Sequence, residues 1–154
     1  MAIQQRMRVL FEDVFPEGAF VVGEVEPVED YELIRAARET GREPGDVQTR
    51  DKVTEKRVWQ VRVVDGDSMA RKGQTEVVVK IGADQQPVPP PKIEGLPFRP
   101  VMFENLTVTA WIDDRGNRPN IAWSFRADGM RAPKPGEVAT PSKGPAAVSE
   151  MGAA

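Results

Sequence analysis

Residues 98–129, FRPVMFENLTVTAWIDDRGNRPNIAWSFRADG, carry the clearest secondary-structure pattern in the chain. Apolar residues alternate with other residues from Leu106 to Ile112 and again from Ile121 to Phe125, which is the period of half-buried strands. The break between the two runs, residues 113–120, is rich in Asp, Gly, Asn and Pro, which favour turns. The stretch therefore predicts a β-hairpin.

Shorter strand patterns lie N-terminal to this hairpin. They are predicted over residues 7–11, 19–25, 47–53, 58–64 and 75–82. Gly23 lies inside the second of these strands, where a glycine indicates a bulge or a sharp bend. Residues 84–97 are rich in proline, which fixes φ and lacks an N–H, so we predict an extended surface connection there.

Residues 24–46 form an acidic segment with eight Asp and Glu side chains. Asp30 is the predicted N-cap of a helix over residues 31–40, with Gly41 as its stop signal. The alternative for residues 30–46 is a mobile loop. Two roles also remain open for the segment, because it could be an ordinary solvated loop or a phosphate mimic that covers a basic groove.

The number and length of these strands predict a mainly β fold. We expect a small antiparallel β-barrel of the OB-like type, or an open sandwich, with one short helix. One domain is predicted over residues 1–131, in which residues 30–46 are a helical or mobile insertion. Residues 132–154 are rich in Pro, Gly, Ala and Ser, and we predict a disordered tail there.

The composition excludes most catalytic chemistry. The chain of 154 residues has no cysteine and no histidine, which removes thiolate catalysis, disulfides and the usual general base. Asp113 and Asp114 are adjacent, and this spacing does not direct two carboxylates at one substrate atom. We therefore predict a protein that is not an enzyme and that needs no cofactor and no metal.

Charge is unevenly distributed along the chain. Residues 1–56 carry 8 Lys and Arg against 13 Asp and Glu, whereas residues 57–131 carry 11 against 9. A uniformly basic nucleic-acid binder is excluded, but a basic face on the central segment is not. The N-terminus lacks the apolar core of a signal peptide, and no run approaches the roughly 18 apolar residues of a membrane span. We predict a cytoplasmic protein with no membrane partner.

The tryptophans of the central segment could be core residues or platforms on which nucleic-acid bases stack. Single-strand binders combine a cationic groove with aromatic side chains on a β-surface. Trp59, Trp123 and Phe125 are predicted to pack in the core, as most aromatic residues of small β-domains do. Trp111 lies on the threonine side of its strand, opposite Val108, and is the tryptophan predicted to face outward.

Basic residues near these aromatic side chains complete a hypothetical nucleic-acid site. The predicted binding residues are Trp111, Arg115, Arg118, Arg126, Lys80 and Arg62. Phosphate contacts by lysine and arginine would supply most of the affinity. For Arg115 and Arg118, a solvated turn is an equally good interpretation.

Three blocks of sequence carry a resemblance to a known family. They are MAIQQRMRVLFEDVFPEGAFVVGEVEPV from residue 1, VWQVRVVDGD and TEVVVKI from residues 58 and 75, and PFRPVMFENLTVTAWIDDRGNRPNIAWSFRADGM from residue 97. In these blocks, over about residues 1–131, the chain resembles the plasmid replication, integration and excision activator family of actinomycete integrative and conjugative elements. The layout of VVVKI, a proline-bearing stretch and an alternating strand is also similar to small phage and conjugative single-stranded-DNA-binding barrels.

The family resemblance implies a non-catalytic protein that promotes replication, excision and integration of a mobile element. Replication or recombination proteins of the element would be its partners. Together with the candidate residues, it favours binding of single-stranded or replication-intermediate DNA. The alternative is an adaptor that contacts a replication initiator or a transcription factor without binding DNA. A sequence-specific activator is less favoured because no helix-turn-helix pattern is present. The oligomeric state stays open.

Overall fold

The computed structural model describes residues 5–71 and 75–137, which form a mainly β fold as predicted. The helices are α1 (Phe11–Val14) and α2 (Tyr31–Glu39). The strands are β1 (Arg6–Arg8), β2 (Ala19–Pro27), β3 (Val58–Asp65), β4 (Glu76–Gly82), β5 (Arg99–Glu104), β6 (Thr107–Asp113), β7 (Asn120–Ala127) and β8 (Gly129–Arg131). Most of the predicted tail, from residue 138 onwards, lies outside the described residues.

These strands form one curled sheet in the order β1-β6-β7-β4-β3-β2-β5-β8. Neighbouring strands are antiparallel except β4 and β7, which run parallel. The sheet therefore departs from the predicted antiparallel arrangement at one contact. A parallel pair needs a long connection, and the proline-rich segment with β5 and β6 provides it.

The predicted hairpin is part of a longer ribbon. β6 and β7 pair from Thr107 with Arg126 to the turn, and β5 and β8 continue the same register, since Glu104 pairs with Gly129. Asn105 has a φ of 51° at the junction, a left-handed conformation that asparagine tolerates. Beyond this junction β5 pairs with β2, whereas β7 pairs with β4.

Pairing of the ribbon with both β2 and β4 curls the sheet into a half-barrel. The strands β2, β3 and β4 form an antiparallel meander between these two contacts. Gly23 has a φ of 79°, and the β2–β3 register shifts between Val22 and Glu26. The predicted bend in this strand is therefore confirmed.

The inner face of the curled sheet carries the hydrophobic core. Its most deeply buried side chains include Phe15, Val21, Val61, Val63, Val79, Ile81 and Val101. The rings of Phe11 and Phe15 lie 5.2 Å apart, and they contact Phe103 and Phe125 respectively. The core is thus built from the alternate residues of the strands and is closed by the rings of Phe11 in α1 and of Phe15, which directly follows this helix.

Two of the predicted strands are wrong or too long. Of the first, predicted over residues 7–11, only Met7 and Arg8 lie in the observed strand, because α1 starts at Phe11 and brings Phe11 and Phe15 to one side of a helical turn. Residues 47–53 make only isolated bridges. Asp51 there accepts hydrogen bonds from the N–H groups of Val53 and Thr54, so a local turn replaces the strand.

The acidic insertion contains the predicted helix. Asp30 accepts hydrogen bonds from the N–H groups of Glu32 and Leu33 at 3.0 and 3.4 Å, which confirms the predicted N-cap. No residue of α2 is buried, so this helix does not contribute to the core. Within residues 5–71 and 75–137, no helix has the length and apolar character needed to cross a membrane.

Candidate nucleic-acid interface

Alternation along the strands separates the core from the candidate residues. Val79 and Ile81 are fully buried, so Lys80 between them points to the opposite face of the sheet. Val108 is buried in the same way, whereas Trp111 is 40% exposed. We call this opposite surface the outer face, and it is formed by Arg6, Arg8, Gln60, Arg62, Val78, Lys80, Thr107, Thr109, Trp111, Ser124 and Arg126.

The strand register aligns three cationic side chains in one row across the outer face. Lys80 pairs with Gln60 on one side and with Arg126 on the other. Arg126 pairs with Thr107, which pairs with Arg8. Because neighbouring strands lie about 4.8 Å apart, the row crosses five strands in roughly 19 Å. Lys80 and Arg8 in this row can contact the phosphates of a nucleic-acid backbone.

A second row on the outer face contains Arg62 and Arg6. Arg62 pairs with Val78 on β4, and Arg6 pairs with Thr109 on β6. The guanidinium of Arg62 lies 3.9 Å from the carboxylate of Glu76, and both side chains are more than half exposed. Exposed ion pairs are weak, so a phosphate can compete with Glu76 for Arg62.

Arg126 differs from the other cations because a buried carboxylate holds it. Its guanidinium forms an ion pair with Asp51, which is only 7% exposed. The N–H of Thr54 is the main cause of the lowered pKa of Asp51, and the N–H of Val53 and the charge of Arg126 lower it further. Arg126 therefore fastens residues 51–57 to the outer face, and its charge is already balanced.

Trp111 is partly covered by a neighbouring guanidinium. The Cζ atom of Arg115 lies 5.4 Å from the ring centroid, which is within cation–π range. Asp113 binds the same guanidinium through both carboxylate oxygens at 2.9 and 3.0 Å, and these hydrogen bonds lower the pKa of Asp113 to about 2. A base would stack on the open side of Trp111 or displace Arg115.

The predicted site residues thus fall into two groups. The register brings Trp111, Lys80, Arg62 and Arg126 to one face of the sheet, while Arg115 follows β6 and Arg118 lies in the β6–β7 turn. The carbonyl of Arg118 accepts a hydrogen bond from the Asn120 amide. No carboxylate forms an ion pair with Arg118 in the described part of the chain.

Sequence reasoning missed Arg6 and Arg8. Both lie on the outer face because β1 pairs with β6. The Nη2 atom of Arg8 also donates a 3.4 Å hydrogen bond to the Oδ1 atom of Asn105. A three-residue strand gives almost no periodic signal, and nothing in the local sequence identifies β6 as its neighbour.

The core prediction is wrong for Trp123, although Trp59 and Phe125 do pack against the core. Trp123 is 52% exposed. Its pattern correctly assigns it to the inner side of β7, but the pairing of β7 with β4 begins only at Phe125. The hairpin therefore projects beyond the half-barrel, and Trp123 lies outside the region in which the core side chains pack.

No metal site is evident among residues 5–71 and 75–137, where no three acidic side chains converge. Asp65 and Asp67 stabilise their own turn, since Asp65 accepts a hydrogen bond from the N–H of Asp67, and Asp67 accepts one from the N–H of Met69. Burial raises the pKa of Asp65.

Comparisons with known proteins add no further assignment. A scan against protein-family models matched none, and searches of curated proteins and of solved structures found no similar chain.

Proposed function

We infer that this protein is a non-catalytic accessory factor that binds single-stranded DNA on its outer face. The observation that carries the proposal is that Lys80, Arg62 and Arg8 lie on the same outer face of the sheet. Trp111 lies on the same face and offers an aromatic surface. A cationic track beside an exposed ring is the combination that single-strand binders use.

The residues of the outer face would contribute in different ways. Lys80 is exposed and forms no ion pair within the described residues, so it is the strongest candidate for a phosphate contact. Arg62 would add a second contact after release from Glu76. Trp111 would stack on a base, while Arg126 would act mainly by holding the adjacent loop in place through Asp51.

The family resemblance supports a biological role for this binding. A protein that promotes replication, excision and integration of a mobile element would encounter single-stranded intermediates. Binding them on a surface without catalytic groups would protect or present them to replication or recombination proteins of the element. This role rests on the sequence resemblance, whereas the binding hypothesis rests on the outer face.

The proposal is tested by fluorescence anisotropy of labelled single-stranded and duplex oligonucleotides at several salt concentrations. For single strands, the logarithm of the binding constant falls with the logarithm of salt by about 0.7 per phosphate contact. Lys80→Ala should reduce that slope by about 0.7. Trp111→Ala should weaken binding by about 1–3 kcal/mol with little change in slope, because stacking is not a counterion effect.

A matched control separates specific contacts from loss of net charge. Lys92 lies on the proline-rich connection and is exposed, so Lys92→Ala should leave both affinity and slope unchanged. Wild-type protein that binds no single-stranded DNA at tens of micromolar and low salt would refute the proposal. Equal effects of the Lys80 and Lys92 changes would remove the outer face as the site.

A protein-interaction adaptor is a second candidate because α2 projects with no buried residue. Tyr31 is 68% and Leu33 is 48% exposed on this helix, and Asp30 and Glu32 are their acidic neighbours in the sequence. Such a helix suits the groove of a protein partner better than it suits DNA. Absence of DNA binding together with capture of a replication initiator would favour this function.

A further inference from the structure

The first half of β7 has one open edge. β6 pairs with Asn120–Ser124 on one side, but the pairing of β4 with β7 begins at Val79 and Phe125. In the described parts of the chain, no strand pairs with the other edge of residues 120–124. A cleft of about 800 Å³ opens there between the diverging strands. The backbone N–H and C=O groups along this edge are therefore available to another strand.

Apolar side chains stand beside this open edge. Ile112 is 71% exposed, Ile121 is 69% exposed and Trp123 is 52% exposed. They share one side of the hairpin, because Ile112 pairs with Ile121 and Ala110 pairs with Trp123. We call these three residues the apolar patch. An apolar cluster beside an unpaired strand edge is typical of an interaction surface.

The open edge lacks the usual protection against strand pairing. Natural proteins place charges, prolines or bulges on exposed edges, yet residues 120–124 (NIAWS) contain no charge and no proline. Two copies of this segment can therefore approach each other without charge repulsion. If the segment contained a charged residue that met the same residue of the second copy across the twofold axis, the two like charges would repel each other.

The sequence of the edge is also self-complementary. In an antiparallel pair centred on Ala122, Ile121 of each copy stands opposite Trp123 of the other. The small Ala122 lies at the axis, and the large apolar side chains meet on a single side. A twofold interface requires a surface that is complementary to itself. Binding of an unrelated peptide would not require this property.

We propose that the β6–β7 hairpins of two copies of this chain pair through residues 120–124 to form a twofold dimer with a continuous four-stranded ribbon. The tip of each hairpin enters the cleft between β4 and β7 of the other copy. Trp111 and Arg115 of both copies then lie on the same side of the joined ribbon. The dimer forms without DNA, but Lys80 and Trp111 also line the cleft, so the partner's hairpin tip and a bound strand would share these two side chains.

Sedimentation equilibrium without DNA tests the dimer. The wild-type protein should show twice the 17.0 kDa mass of the chain. Ile121→Lys and Trp123→Glu should each weaken association by about tenfold or more, because each places a charge in an apolar contact. Val88→Lys is the matched control, since Val88 is an exposed apolar residue on the proline-rich connection, and it should leave the mass unchanged.

Mixing the two charged variants tests the register. Ile121→Lys on one copy faces Trp123→Glu on the other only in the antiparallel pair centred on Ala122. The equimolar mixture should therefore recover the dimer mass, while each variant alone remains smaller. Circular dichroism spectra that match the wild type would show that both variants are folded.

Three results would overturn the proposal. One is a wild-type protein that remains at the mass of one chain up to about 100 µM, where an interface of micromolar affinity would be filled. Another is a dimer that survives both charged substitutions, which would place the contact elsewhere. The third is a mixture of the variants that recovers no dimer, which would exclude the antiparallel register.

Discussion

Replacing the buried partner of Arg126 tests whether this arginine is mainly structural. Asp51 is 7% exposed, forms an ion pair with Arg126 and accepts two backbone N–H groups. Asp51→Asn keeps an oxygen for those N–H groups but removes the charge. Arg126→Met keeps much of the side-chain volume but leaves the carboxylate without its counterion.

The magnitude follows from the burial of the pair. Removing one partner of a buried ion pair lowers the free energy of unfolding by about 3–5 kcal/mol. Because Asp51 keeps its two hydrogen bonds from backbone N–H groups, we expect a loss of about 3 kcal/mol for Arg126→Met. Asp51→Asn should cost about 2 kcal/mol, since only charge is lost. The double variant should cost about 3 kcal/mol, because an apolar and a neutral side chain no longer bury an unpaired charge.

The assay is urea unfolding followed by circular dichroism. With a slope of about 2 kcal/mol per molar urea, Arg126→Met should lower the midpoint by about 1.5 M. Partly exposed Asp113 and exposed Arg115 form the control pair, and Asp113→Asn with Arg115→Met should lower the midpoint by no more than about 0.5 M, because such ion pairs contribute up to about 1 kcal/mol. Additive effects of the Asp51 and Arg126 changes would refute the coupling, and an unchanged midpoint in either variant would refute the structural role.

The pH dependence gives an independent check on Asp51. Its pKa is lowered in the folded protein, so its contribution to stability is present above the unfolded pKa of about 3.9 and is lost as pH falls through the folded pKa. The difference in unfolding free energy between wild type and Asp51→Asn should therefore be constant near neutral pH and shrink below about pH 4. A difference that grew with acid would contradict this sign.

Two further predictions concern local contacts. Gly66→Ala should destabilise the fold by about 1–3 kcal/mol, since its Cβ would clash with the carbonyl oxygen of Glu17, whereas a Cβ at Gly45 would have no other atom within 4 Å. Thermal melts of both variants check this, and equal melting temperatures would contradict it. Asp113 should titrate at about 2 in carbon-detected NMR. Its pKa should rise towards the ordinary range in Arg115→Ala, and an unchanged value would exclude the Arg115 contact.

Local pattern was sufficient to predict much of the fold. The β6–β7 hairpin, the bend at Gly23 and the helix capped by Asp30 all depend on residues a few positions apart in the chain. The outward direction of Lys80 and Trp111 is also a local property, because neighbouring residues of a strand point to opposite faces. The alternation therefore assigned most side chains to the correct side of the sheet.

Tertiary structure alone decided which of these side chains meet. Arg126 is paired with Asp51, Arg6 and Arg8 join the outer face, and Trp123 is exposed. Each outcome depends on which strands become neighbours and on where their pairing stops, and these contacts link residues far apart in sequence. The periodicity of the sequence predicts on which side of its strand a residue lies. Only the assembled sheet determines whether another part of the chain covers that side.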